Sequence, residues 1–167
     1  RRMRHERRSA VPKALSTAVR STEGSPVSTL APDIGVDTLH LALGDWFAPW
    51  VQALGLRVES FSAGEVTLRL PQNPELSRIG GMVCGQALMA AADTAMVLAI
   101  VTQLGNQRPM TTVQLNTSFL KPLVNQDALV TARVVRAGKN LVFGEIDIVA
   151  ASDNKSVCRA STTYALL

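Results

Sequence analysis

The sequence predicts an α+β protein in which a curved antiparallel sheet wraps around a long central helix. Three observations predict it. The stretch from Met82 to Leu104 is apolar almost all round, with Ala87, Leu88, Ala91, Ala95, Met96, Leu98 and Ile100 among residues that leave it little polar face, so it reads as a helix buried on every side. Two strand-like runs precede that stretch and four follow it. Most connections between the runs are too short for a parallel crossover, so consecutive strands must run antiparallel.

Taken in order, residues 1–35 read as a basic N-terminal extension and linker, and residues 36–167 as the folded domain. The first 24 residues hold seven bases against two acids and lack the apolar run of a secretory signal. They read as an extension, with an organelle transit peptide as the weaker alternative, and Lys13 to Val19 as a short helix against a neighbour. From Gly24 to Gly35, Pro, Ser and Gly dominate, as in a linker. Asp37 is expected to cap a helix over Thr38 to Leu54, with Leu39, Leu43, Trp46, Phe47 and Trp50 as its apolar stripe, Pro49 kinking or splitting it and Gly55 ending it. Leu56 to Ser62 and Glu65 to Leu70 alternate as half-buried strands and turn on Ala63 and Gly64. Pro71 to Gly81 reads as a loop. After the long helix, Met110 to Leu120, Ala128 to Arg136, Leu141 to Ala151 and Val157 to Leu166 are rich in Val, Ile, Thr and aromatic residues. One face of such a sheet is left for a partner.

Composition narrows the function. At 167 residues, with 47% hydrophobic and 18% charged residues, the chain is one globular domain and not a disordered one. Cys84 and Cys158 form no CxxC pair and too few ligands for zinc, which predicts no metal and a reducing, cytoplasmic setting. The two histidines, His5 and His40, fall in no motif, so chemistry that needs an imidazole base has almost nowhere to sit. Beyond residue 24 the chain holds ten bases and eleven acids with no basic stripe, which speaks against nucleic acid as a partner. Membrane insertion of the long helix is disfavoured by Asp93 at its middle, by its alanine content and by the strand-like sequence on both sides.

Asp93 is the strongest single clue, because a carboxylate in an apolar helix is costly unless it is hydrogen-bonded or opens on a site. A structural carboxylate, bonded to a backbone amide or a partner subunit, is the alternative. Gly80, Gly81 and Gly85 crowd the start of the same helix, where free N–H groups can polarise a carbonyl or hold an anion, or where the glycines only allow a tight loop.

Together, Gly81-Met82-Val83-Cys84-Gly85-Gln86 followed by Ala91-Ala92-Asp93-Thr94-Ala95 resembles the hotdog-fold acyl-CoA thioesterases of the phenylacetate-pathway type. The likeness extends over about Trp46 to Leu167, including Thr112-Val113-Gln114-Leu115-Asn116, Leu120-Lys121-Pro122 and Arg136-Ala137-Gly138-Lys139. It implies a homo-oligomer, dimer or dimer of dimers, that hydrolyses an acyl-CoA to the free acid and CoA without a cofactor. Asp93 is then the general base or nucleophile, Gly85 the amide that polarises the thioester carbonyl, and Thr112 a residue positioning water, usually across a subunit interface. The chain departs from the family pattern at three places: Cys84 stands where His is usual, Gln86 where a second Gly is, and Arg78 where Asn or Gln orients water. Arg78 either pairs with Asp93 or binds CoA phosphates, alone or with Arg136, Lys139 and Lys121. A non-catalytic acyl-CoA-binding or regulatory protein is the rival reading. Cys84 has no nearby His in the sequence to activate it as a nucleophile, and Cys158 reads as packing. Trp46, Phe47, Trp50, Met82 and Met89 are candidate walls for an acyl pocket.

Overall fold

The structure, a computed structural model, describes residues 34–167; the expected helix at Lys13 to Val19 and almost all of the linker lie outside the described residues. The first helix divides at its proline. Helix α1 spans Val36–Asp45 and α2 spans Pro49–Gln52, with Pro49 at the start of α2, where its missing N–H costs nothing. The N-cap of α1 is Gly35 rather than Asp37, and the Thr38 hydroxyl accepts from the Gly35 N–H at 3.4 Å. Leu39, Ala42 and Leu43 are buried, whereas Trp50 is 63% exposed, so the expected stripe ends at the break.

Strands β1 (Arg57–Ser62) and β2 (Glu65–Leu70) form the expected hairpin. The following loop holds more structure than its sequence suggests. A 3-10 turn at Pro74–Leu76 leads into β3 (Ser77–Arg78), which pairs with β4 (Met82–Val83) around Ile79, Gly80 and Gly81. Both glycines have positive φ, the conformation such a tight turn requires. Helix α3 therefore starts at Gly85, three residues later than expected, and runs to Leu104. Strands β5 (Met110–Phe119), β6 (Ala128–Ala137), β7 (Leu141–Ala150) and β8 (Ser156–Leu166) follow.

The six long strands form one antiparallel sheet in the order β1-β2-β6-β7-β8-β5. Its inner face is set by alternation: Val142, Gly144, Ile146, Ile148 and Ala150 of β7 are buried, and so are Val66, Leu68 and Leu70 of β2. Against that face lies the 20-residue α3, in which an 18-residue window of mean hydropathy 1.7 meets the length and apolarity of a membrane span, yet 67% of that window is buried inside the fold. At the crossing with β7, a Cβ on Gly144 would overlap the Met96 side chain and come within 3.1 Å of the Arg133 carbonyl. Met96 is fully buried, and the Arg133 carbonyl is backbone, so the contact is relieved only by shifts within the core.

Among the described residues, one edge of the sheet is covered and the other is bare. Beside β1 lies α1, where His40 Nε2 accepts the Val58 N–H at 2.9 Å. Strand β5, ten residues long, forms the opposite edge with Val113 and Phe119 exposed. Gly144→Ala is expected to cost about 1–3 kcal/mol of stability by overpacking the helix against the sheet, read as a fall in the urea midpoint.

Candidate active site

Asp93 lies on the part of α3 that the sheet leaves incompletely covered, beside β5. Its Oδ1 accepts two hydrogen bonds, from Thr112 Oγ1 at 2.9 Å and from the Tyr164 hydroxyl at 2.5 Å. Thr112 and Tyr164 are direct register partners on β5 and β8, so their side chains stand side by side facing the helix. Thr112 thus serves the Asp93 of its own chain. Oδ2 of Asp93 has no hydrogen-bond partner among the described residues.

A bulge aims this end of β5. The register shifts between Thr112 and Gln114, so Val113 is an extra residue, and the Thr162 hydroxyl anchors the Gln114 carbonyl at 2.7 Å. Without it, Thr112 and Phe119, seven positions apart, would point to opposite faces. With it, Thr112 reaches Asp93 while Phe119 lays its ring 3.0 Å from the place a Gly85 Cβ would occupy.

Gly85 begins α3, with Cys84 as its N-cap in extended conformation. The Cys84 carbonyl accepts from the Ala87 and Leu88 N–H groups, and among the described residues the Gly85 and Gln86 N–H groups have no acceptor. These free donors border a cavity of about 450 Å³ walled by Met82, Val83, Leu88 and Phe119, with Arg78 and Lys121 at its rim. Its chemistry suits an extended ligand that ends in anions. A second hollow, about 280 Å³, lies between Trp46, Phe47, Val97, Val101 and Met110. It begins about 6 Å, one helical turn, along α3 from Asp93.

The other residues singled out in the sequence divide between these places. Arg78 stands at the first cavity with its guanidinium on the Met82 sulfur, and it does not pair with Asp93. Gln86 faces outward on α3, and Cys84 is partly exposed. Arg136 and Lys139 lie at the β6–β7 turn, where Arg108 bonds the Lys139 and Leu167 carbonyls. That turn is at the far end of β5 from Gly85, a separation of roughly 30 Å. Of the expected acyl walls, Met82 belongs to the first cavity, Trp46 and Phe47 to the second, and Met89 and Trp50 to neither. Arg108 and Tyr164 were not singled out in the sequence. Among the described residues, no three His, Cys, Asp or Glu side chains converge as a metal site.

A sheet wrapped around a helix that carries a held carboxylate and a glycine-started N-terminus defines the hotdog-fold class of hydrolase. The chain belongs to the thioesterase superfamily, whose sequence model matches residues 80–157. It is 33% identical to a Saccharolobus solfataricus protein named "putative esterase", over 63% of this chain and 68% of that one. Among solved structures, a Haemophilus influenzae thioesterase superposes with TM-score 0.73 at 20% identity, covering 81% of this chain and 92% of that chain. The E. coli PaaI protein from the phenylacetic acid degradation operon gives 0.68 at 21%, covering 77% and 89%.

The two thiols differ in environment. Burial pushes the Cys158 thiol up to about 11, so at pH 8 it stays protonated inside the sheet, while Cys84 is accessible at the helix start. A thiol reagent at pH 8 should label one cysteine of the native protein, Cys84, and reach the second only in denaturant.

Proposed function

We propose that the protein is an acyl-CoA thioesterase that works as a homodimer through its β5 edges. Asp93 takes a proton from water as the water attacks the thioester carbonyl, and the Gly85 amide stabilises the developing oxyanion. The observation that carries the reading is the pairing of a carboxylate held on one oxygen with unused N–H donors at the start of the same helix.

Within one chain those groups are about 12 Å apart along α3, too far to act on one carbonyl. A second copy removes the difficulty. The β5 edge supports antiparallel pairing of two copies: a two-fold axis at Asn116 sets Gln114 of each copy opposite Ser118 of the other, and the Val113 bulge then brings Thr112 opposite Phe119 of the other on the same face. Since Thr112 marks Asp93 and Phe119 marks Gly85, each site then joins the carboxylate of one copy to the helix start of the other. The same pairing brings the Arg108, Arg136 and Lys139 corner of one copy toward the Arg78 and Lys121 rim of the other. Five cations there would meet the phosphates of CoA, and the Trp46 and Phe47 hollow would take the acyl group.

Steady-state CoA release from short, long and aromatic acyl-CoAs tests the activity, with correction for the protein's own thiols. Asp93→Asn should lower turnover by about a hundredfold or more while acyl-CoA still raises the melting temperature. Stabilisation of the wild type without any turnover would leave only the binding protein. The shared site has its own test: co-expressed Asp93→Asn and Gly85→Val chains, each inactive alone, should recover about one quarter of wild-type activity when mixed at random. No recovery in mixed dimers would place both groups of a site on one chain.

A further inference from the structure

Tyr164 is the polar side chain most deeply involved with Asp93, and neither its type nor its place is needed by the reaction just described. It stands near the end of β8, is 1% exposed, and reaches across α3 to both the carboxylate and the main-chain carbonyl of Asp93, the latter at 3.0 Å. A phenol has one proton to donate. The carboxylate is the stronger acceptor and the closer one, so the proton belongs on Oδ1, where the Thr112 hydroxyl also donates. Burial and the Asp93 charge both push the phenol pKa upward, so it remains a donor throughout the neutral range.

Two donors on one oxygen have two effects. They hold the carboxylate rotation, since turning it would give up two hydrogen bonds to a charged oxygen and leave the phenol only the weaker main-chain carbonyl of Asp93. They also occupy Oδ1 and leave Oδ2 as the oxygen able to accept a proton. We propose that Tyr164 is a positioning residue that, with Thr112, fixes the Asp93 carboxylate and makes Oδ2 the oxygen that receives the proton of the attacking water. The proposal rests on the hydrolytic reading above, but it also concerns a property of Asp93 that exists without substrate.

The experiment is Tyr164→Phe, which keeps the ring that packs in the core and removes only the hydroxyl. Turnover of the best acyl-CoA should fall about 10- to 100-fold with KM little changed, because a mobile base is misplaced more often than it is lost. In the Asp93→Asn background the same substitution should cost nothing further. A hydroxyl that merely stabilises the fold would lower the melting temperature and leave KM and kcat in place, and that result overturns the proposal. Should the variant not fold, Thr112→Val removes the other donor from the same oxygen and must lower kcat in the same way with KM little changed; an unchanged kcat overturns it equally. If the wild type hydrolyses no ester, the thioesterase reading fails by itself. The Asp93 carboxyl carbon resonance, compared at one neutral pH in wild type and Tyr164→Phe, then decides: a shifted or broadened resonance sustains the positioning role and an unchanged one ends it.

Discussion

Helix α3 has almost no polar face, and the rest of the fold is a means of covering it. Residues of this apolarity gain about 25 cal/mol for each Å² removed from water, so α3 is stable only where a sheet can curve round most of its circumference. Each long strand answers with alternating inward side chains, and β7 gives up a side chain at Gly144 so that Met96 can sit against the backbone. A single antiparallel sheet cannot close fully round the helix. The strip that remains, beside the β5 edge, is where Asp93 lies, and this is the part of the helix at which a carboxylate can keep one oxygen available while the other is held.

The bulge at Val113 joins this local chemistry to assembly. An unbroken β5 could aim either Thr112 or Phe119 at the helix, but not both. With one extra residue it serves the carboxylate at one end and packs on the helix start at the other. In the proposed antiparallel pair of copies the two ends would exchange neighbours, so the bulge that appears as an irregularity in one chain would line up the two proposed half-sites.

How far the sequence revealed this depended on the range of each interaction. The long strands carry alternating patterns and α3 an unbroken apolar run, and their boundaries moved by only a few positions. Strands β3 and β4 have two residues each, too few for any period, so the helix start appeared three residues early. Asp93 stood out because a lone charge in an apolar run is visible without knowing what surrounds it. Tyr164 could not stand out in the same way: it sits 71 residues from its partner, in a strand where a buried aromatic is ordinary. Arg136 and Lys139 were legible as charges at a turn, but which end of the sheet that turn occupies is decided by strand order. Arg78 shows the same limit, since its partner proved to be the Met82 sulfur four residues away rather than the carboxylate.

The scarcity of histidine has a chemical reading once the site is assembled. His40, the one histidine among the described residues, is committed to the Val58 amide at the α1–β1 contact. The proposed reaction therefore has a base and an oxyanion donor but, among the described residues, no imidazole to protonate the leaving group. For an oxygen ester or an amide that would be a serious gap, because an alkoxide or amide anion leaves poorly without an acid. A thiol has an ordinary pKa of about 8.5, so a thiolate departs near neutral pH with little assistance. A site built from one carboxylate and a helix N-terminus is thus suited to thioesters above other acyl compounds, and the requirement falls on orienting that one carboxylate correctly.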